Sequence, residues 1–514
     1  MTGQVDWDAL VVGGGVNGAG IARDLAGRGA RVLLVEQDDL AQHTSSASTK
    51  LIHGGLRYLE YREFGLVRKA LQEREVLLAM APHLIAPLRF VMPHVPELRP
   101  AWMIRAGLFL YDHLSRRAVL PGSKTINLRE HFAGAPLAGS FARGFVYSDA
   151  AVDDARLVVL NAVDARARGA QIATRTSFVS AKREPDHWRV NLVDSRGRES
   201  TVTARALVNA AGPWVNALAI GTVGTAVHER PMRLVKGSHI VTRKLFDHDH
   251  AYIFQNTDRR IVFAIPWQGD FTLIGTTDID YVGSPADVRI SEDETTYLCD
   301  AVSRYFRQPV HPGDVVWSFA GVRPLIEDGA GDAAAATRDY QLELDTDGAP
   351  LMSVFGGKIT TYRKLAEQAA DDLARPLGLT GGAWTDRAPL PGGDIPDAAK
   401  GGFARFAADF QARHPFLPAD LANRLARAYG TLADTMLAGI GSMEAMGACL
   451  VPGLYEVEAN YLVNYEWART ADDILWRRTK LGLRAQAADR ERLQAWLASH
   501  VPQGAMDAPS STFG

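Results

Sequence analysis

Cysteine is nearly absent, with two in 514 residues, Cys299 and Cys449. So distant a pair makes neither a disulfide framework nor a zinc site. It suits a reducing cytosolic compartment, with both thiols expected as buried apolar fillers. Excess charge of either sign is also missing: Lys and Arg total 56 against 59 Asp and Glu, a net charge of −3. There is therefore no basic field of the kind that holds nucleic acid, and none is expected as a partner. The longest uncharged run, Ala206 to His228, is broken by Asn209, Pro213, Asn216 and several glycines, so it lacks the apolar density of a membrane-spanning helix. Met1 to Asp8 carries acids and no basic segment, so no signal peptide is expected. No internal repeat occurs, and residues from Gly504 onward read as a loose tail. What is present is a globular balance, 47% hydrophobic and 22% charged, at a length that implies roughly two to four domains.

The most informative stretch is Ala9 to Glu36, ALVVGGGVNGAGIARDLAGRGARVLLVE. An apolar run ends in Gly13-x-Gly15-x-x-Gly18, a helical stretch follows to Gly29, and a second apolar run, Val32 to Val35, stops at an acid. The pattern predicts strand, turn, helix and strand. Gly13 allows the tight turn, Gly15 lets a pyrophosphate approach the backbone, and Gly18 lets the helix pack against the strand. The helix N-terminus offers free N–H groups and a positive dipole end. Glu36 stands where a carboxylate accepts two ribose hydroxyls and disfavours a 2′-phosphate. The fingerprint leaves open whether the dinucleotide is FAD or NAD.

Beyond Glu36, a small polar cluster, Thr44 to Thr49, leads through Lys50 to His53, Gly54 and Gly55, and then to a helix from about Glu63 to Met80. Pro100 opens another helix, AWMIRAGLFLYDHL, with little polar surface. It could be core or lie in a membrane interface, and core is the favoured reading. A helix over Asp153 to Arg168 precedes three strand-like runs, the last ending in the small residues Asn209 to Gly212, which suit the ligand edge of a doubly wound sheet. Met232 to Leu344 reads mostly as antiparallel β, interrupted by a helix at about Asp293 to Phe306 and by a low-complexity loop, Asp328 to Ala336. Leu351 to Phe355 is a strand, and Gly356-Gly357-Lys358 opens a second helix that could face an anion. Past a proline- and glycine-rich linker, Pro376 to Pro396, the chain is helical, with a capping box expected at Thr470 to Asp473.

Thirteen segments in one order resemble the FAD-dependent glycerol-3-phosphate dehydrogenases, in particular the aerobic bacterial enzyme. Among them are VGGGVNGAGIARDLAGRG, TSSASTKLIHGGLRYLE, RPAWMIRAGLFLYDHL, VNAAGPWV, VKGSHIV, IGTTD, GVRPL, TRDY, SVFGGKITTYRKLAE and DDILWRRTK. HGGLRYLE and GGKITTYRKLA are far more specific than the glycine fingerprint. The resemblance implies an α/β, glutathione-reductase-like FAD-binding Rossmann fold of the amino-acid-oxidase subgroup, with a β-rich substrate domain and a C-terminal α-helical domain. The expected division is 8–80, 145–220 and 345–380 for FAD, 81–144 and 221–344 for substrate, and 390–505 for the helical domain. It also implies noncovalent FAD, oxidation of sn-glycerol 3-phosphate to dihydroxyacetone phosphate, and ubiquinone as electron acceptor. A peripheral location on the cytoplasmic face of the inner membrane follows, and a homodimer is compatible with it. The alternatives are an oxidase of the same fold that uses oxygen, a related amine or hydroxy-acid oxidase, and a noncatalytic FAD-fold binding protein.

Oxidising a secondary alcohol removes a hydride and a proton, and a phosphomonoester of charge near −2 calls for several Arg or Lys donors. By resemblance, Arg57, Arg323, Arg338 and Lys358 match substrate-binding positions, with Tyr58 and His239 nearby. His239, Arg323 and Lys358 form the expected catalytic set, with His239 as candidate base and His53 as its rival. Arg323 lies between an apolar strand and a proline, and Lys358 opposes a helix dipole, both locally costly unless used. Arg338 adjoins Asp339, so a surface ion pair is its competing role. For FAD, Gly13, Gly15, Gly18 and Glu36 are expected at the adenosine and pyrophosphate end. Ser45, Ser46, Lys50 and the His53–Gly54–Gly55 turn would line the ring end, Ala211 and Gly212 one side, and Gly357, Lys358 and Thr360 the second helix start. No metal is expected. Arg424 to Arg427 and Arg477 to Lys480 could touch lipid, with a solvated or core role favoured.

Overall fold

The structure, a computed structural model, describes residues 5–218, 231–258, 260–326, 339–397 and 401–501. Arg338, the loop Asp328 to Ala336, the end of the uncharged run beyond residue 218 and the tail from Gly504 lie outside these residues.

The first apolar run forms strand Trp7–Val12, the glycine turn leads into helix α1 (Val16–Gly27), and the second apolar run forms strand Val32–Val35. Trp7–Val12 is central in its sheet. It pairs in parallel with Glu199–Asn209 on one side and Val32–Val35 on the other, and Leu351–Gly356 and Gln171–Ala173 extend the parallel order outward. Burial on both faces explains why these strands read as continuous apolar runs rather than alternating ones. On one face α1 lies among α4 (Asp154–Ala167) and the helix Tyr362–Leu377, with Ile21, Leu25, Leu160 and Leu365 fully buried. Each such side chain contributes on the order of 1.5–3 kcal/mol. Gly20 makes the helix crossing possible, because a Cβ there would lie 2.9 Å from the Tyr362 ring.

A second, largely antiparallel sheet contains Met232–Arg243 flanked by Phe271–Gly275 and Val315–Ile326, continuing through Ile261–Trp267 and Ala251–Gln255 to Ile85–Pro93 and Arg143–Val152. The boundary expected at 144/145 cuts through Arg143–Val152, which lies wholly in this sheet. Conversely Tyr340–Asp345, expected with the substrate strands, pairs antiparallel with Leu351–Gly356 in the first sheet.

Helix α2 (Phe64–Met80) is followed by α3 (Ala101–His113), where the sequence reading needs correction. Ile104, Leu108 and Tyr111 are buried, yet Trp102 is 70% exposed and Phe109 57%, with Met103 and Leu110 also exposed. Only one stripe of α3 is core. The Glu60–Arg99 pair at 2.7 Å ties the start of α3 to the turn that carries exposed Tyr61. Cys449 is likewise exposed rather than buried, while Cys299 is buried.

The C-terminal helices pack around Phe410, Leu425, Tyr429, Leu462 and Leu493. Thr470 and Asp473 exchange the expected reciprocal hydrogen bonds, although the residues that follow, Asp473–Arg478, form a π-helix. Arg478 makes a buried two-pronged contact with Asp39 at 2.7 and 2.8 Å, and Lys480 reaches Asp153 at 3.0 Å. Arg424 likewise pairs with Glu458. Arg424, Arg478 and Lys480 thus join protein to protein, in keeping with the core role favoured from the sequence.

Candidate active site

One cavity of about 500 Å³ runs from the Gly13–Gly15 turn to Arg323 and Lys358. Its first end is built of backbone. Gly13 has φ +113°, and a Cβ there would lie 2.4 Å from the Ala210 carbonyl oxygen; a Cβ on Gly18 would lie 1.9 Å from the Gly13 oxygen. Both must therefore be glycine for the strand, turn and helix to close. The N-terminus of α1 carries no side-chain cap, while Val16 N–H donates to Ser45 Oγ at 3.0 Å. Glu36 closes this end. Its Oε2 accepts from Gly14 N at 2.6 Å and its Oε1 from Asp38 N at 2.9 Å. Burial pushes its carboxyl up against the opposing pull of those two N–H bonds. Each oxygen keeps a further lone pair for a hydroxyl. Asn17 lines the cavity with a buried Oδ1 that has no hydrogen-bond partner among the described residues, an acceptor that a bound donor would satisfy. Ala211, Gly212 and Trp214 form the opposite wall, and His43 meets the Trp214 ring edge-on at 4.8 Å. A groove of small residues, uncapped helix N–H groups and a buried carboxylate fits a dinucleotide.

The middle is shaped by a turn held from behind. His53 lines the cavity and its N–H donates to Thr360 Oγ1 at 3.2 Å. Gly54 N–H donates to Tyr111 Oη at 2.8 Å, and Tyr111 in turn donates to Asp149, which Arg74 meets at 2.7 Å. The buried Asp149 carboxyl is pushed up by burial, against the pull of Arg74. A Cβ on Gly54 would strike Leu71 at 2.5 Å, and Gly55 has φ +77°. Thus α2, α3 and Arg143–Val152 converge on one tripeptide.

The far end is cationic. Arg323 bonds Asp278 through Nη1 and donates to Thr276 Oγ1 at 3.1 Å through Nη2. Its expected cost as an isolated cation is therefore met by Asp278, the acid of the IGTTD segment. Lys358 follows Gly356 and Gly357, at φ +69° and +100°, and its ammonium lies 3.9 Å from the centre of the Tyr58 ring.

Of the residues singled out from sequence, Gly13, Gly15, Glu36, Ser45, His53, Tyr58, Ala211, Gly212, Arg323, Gly357, Lys358 and Thr360 line this cavity. Others are not brought to its wall. Lys50 is buried with its ammonium 2.8 Å from Asp154; burial lowers its pKa against the pull of that acid. Ser46 Oγ donates back to His43 O at 3.3 Å. Gly54 and Gly55 shape the turn from behind, Gly18 packs under the helix start, and Arg57 lies against Tyr61. His239 is 0% exposed, off the cavity wall, with Nε2 2.9 Å from Thr49 Oγ1. Thr49, Phe263 and Thr276 line the cavity, and sequence reasoning missed them together with Asp278. The signal for Asp278 was its place in a recognisable segment; Thr49 carried none beyond its polar cluster.

The family described as FAD dependent oxidoreductase matches residues 8–363, and that described as the C-terminal domain of alpha-glycerophosphate oxidase matches 383–499. A glycerol-3-phosphate dehydrogenase of Pseudomonas aeruginosa is 54% identical over 96% of each chain. A D-erythritol 1-phosphate dehydrogenase of Brucella abortus is 51% identical over 95% of this chain and 97% of its own. The crystal structure of a glycerol-3-phosphate dehydrogenase from Bacillus halodurans complexed with FAD superposes with a TM-score of 0.73 at 26% identity, covering 100% of this chain and 97% of that one. The α/β dinucleotide sheet, the second sheet and the C-terminal helices are thus the FAD-dependent oxidoreductase architecture, and the chain belongs to the FAD-dependent glycerol-3-phosphate dehydrogenase family.

Proposed function

We propose that this enzyme oxidises sn-glycerol 3-phosphate to dihydroxyacetone phosphate at noncovalently held FAD and passes the electrons to a membrane quinone. The observation that carries the substrate is the pair of cations, Arg323 and Lys358, at the end of a cavity whose other end suits a dinucleotide. A phosphate dianion between a guanidinium fixed by Asp278 and an ammonium fixed over Tyr58 gains charge-assisted hydrogen bonds without first ordering either donor. Bound FAD supplies the acceptor for the carbinol hydrogen and its electron pair. The protein's own residues seat the phosphate, present the alcohol carbon to the ring and take up the hydroxyl proton. The His53–Gly55 turn, anchored by Tyr111, Asp149 and Thr360, would hold the cavity wall against bound FAD.

The 51% identity to the D-erythritol 1-phosphate dehydrogenase favours a second reading, a four-carbon polyol phosphate, because it nearly equals the identity to the glycerol-3-phosphate dehydrogenase. Both substrates share the phosphate and differ in length. Among the described residues no helix is long and apolar enough to cross a membrane. The exposed face of α3, with Trp102, Met103, Phe109 and Leu110, supports contact with a lipid surface instead, and we place it at the cytoplasmic face of the inner membrane. Turnover with a dye acceptor, compared across glycerol 3-phosphate, erythritol 1-phosphate and glycerol, tests the substrate. Glycerol 3-phosphate should give the highest kcat/KM and glycerol no rate; preference for the erythritol ester selects the second reading. Peroxide formed at the rate of turnover in air would overturn the quinone assignment.

A further inference from the structure

A row of side chains crosses the second sheet beside the cavity: Phe263 is opposite Gly275, Gly275 opposite His239, and His239 opposite Phe319. Gly275 leaves the space in which the imidazole lies, since a Cβ there would fall 2.1 Å from His239 Cδ2. Phe319 covers the ring, stacked at 4.8 Å with 10° between planes. Among the described residues the ring therefore has one polar outlet, the 2.9 Å contact of Nε2 with Thr49 Oγ1, and Thr49 lines the cavity. Nδ1 is buried and has no hydrogen-bond partner among the described residues. Leaving a buried nitrogen unbonded costs on the order of 1–3 kcal/mol.

We propose that Thr49 is the hydroxyl through which His239 reaches the substrate, the two forming a proton relay at the cavity wall. The inference rests on the reading of the enzyme as a polyol-phosphate dehydrogenase. The substrate's O–H bond breaks as a new O–H bond forms at Thr49 Oγ1. The original Thr49 O–H bond breaks as an N–H bond forms at His239 Nε2. The carbinol hydrogen leaves with its electron pair to FAD, the oxidant, so the alcohol loses two hydrogens and two electrons and becomes the ketone.

The surroundings suit an acceptor. Burial first, then the charges of Arg323 and Lys50, hold His239 well below its ordinary range, so the ring is unprotonated at neutral pH. Those cations are themselves bound by Asp278 and Asp154. A phosphate dianion seated on Arg323 offsets one of them and raises the proton affinity of the ring when the alcohol arrives.

Thr49→Val removes the hydroxyl at nearly constant volume, and Thr49→Ser keeps it. The valine variant should lose about a hundredfold in kcat/KM, mostly in kcat, with FAD content unchanged, while the serine variant should stay within about fivefold of the parent. In the FAD-loaded, substrate-free protein, ring ¹⁵N spectra should show His239 as one neutral tautomer with its proton on Nδ1, and the Nε2 resonance should move in the valine variant. A valine variant within about threefold of the parent, a serine variant as impaired as valine, or an unmoved Nε2 resonance overturns the relay. If no phosphorylated polyol reduces the parent's flavin, the functional reading fails and the relay with it; a parent flavin that is reduced while the valine variant keeps its activity overturns the relay alone.

Discussion

The two ends of the cavity are built on different principles. The dinucleotide end is largely local: Gly13, Gly15, Gly18 and Glu36 lie within one strand–helix–strand unit, and Ala210 to Trp214 close its other side. The cationic end is assembled from afar. Arg323 depends on Asp278, Lys358 on Tyr58, and the His53 turn on Tyr111, Asp149 and Thr360, so each element is held by a partner remote in sequence. Local construction makes the first end intolerant of an added methyl group. Assembled construction makes the second sensitive to the loss of a partner that need never touch substrate.

Substitutions can break that contrast. The largest effect is expected at the local end: Gly13→Val drives a Cβ into the Ala210 carbonyl at a φ that valine rarely adopts. Purified protein should be flavin-free, read as loss of absorbance near the flavin band, and a yellow variant would contradict the backbone account. Next comes Arg323→Ala, which should raise KM and lower kcat/KM by roughly a hundredfold or more while FAD stays bound; unchanged kinetics would remove Arg323 from the site. Asp278→Asn sharpens the comparison. It leaves Arg323 in place with a weaker anchor, and steady-state kinetics should show a loss of about tenfold in kcat/KM. Glu36→Gln should weaken FAD about tenfold by equilibrium titration, with the polyol-phosphate KM unmoved in flavin-saturated enzyme.

The exposed stripe of α3 gives a smaller effect. Trp102→Glu should reduce sedimentation with anionic vesicles several-fold while dye-linked turnover in solution stays at the parent level; undiminished sedimentation would place the lipid contact elsewhere. Acid acts on the C-terminal attachment. Burial tends to raise the Asp473 pKa, but Arg175, Arg478 and Arg477 outweigh it and hold the carboxyl well below the usual range. Its folded pKa is lower than its unfolded one, so its stabilisation is complete above about pH 4 and is lost as pH falls toward the folded value. Melting temperature should drop over that interval, and Asp473→Asn should flatten the drop.

Legibility in the sequence follows the same division. The glycine fingerprint and the acid after Val35 could be read because period and spacing encode a local unit. The apolar runs at 207–208 and 351–355 were recognisable as buried strands for a related reason. Tyr340–Asp345 could not be assigned to the first sheet, because a strand's partners depend on crossovers that leave no local trace. The exposed stripe of α3 was misjudged because apolar residues all round a helix suit burial and a lipid face equally. Lys50 and Arg57 looked like site residues beside a conspicuous turn, but only the tertiary placement of Asp154 and Tyr61 shows where their charges point. Thr49 became visible once His239 lay behind it.

The most direct test is the visible spectrum of the purified protein under anaerobic conditions, titrated in turn with glycerol, glycerol 3-phosphate and erythritol 1-phosphate. The account predicts a flavin band unaffected by glycerol and bleached by glycerol 3-phosphate, with the erythritol ester less effective. A flavin band that stays oxidised with both phosphate esters would contradict the assignment of Arg323 and Lys358 as a phosphate seat, while leaving the FAD end of the cavity intact.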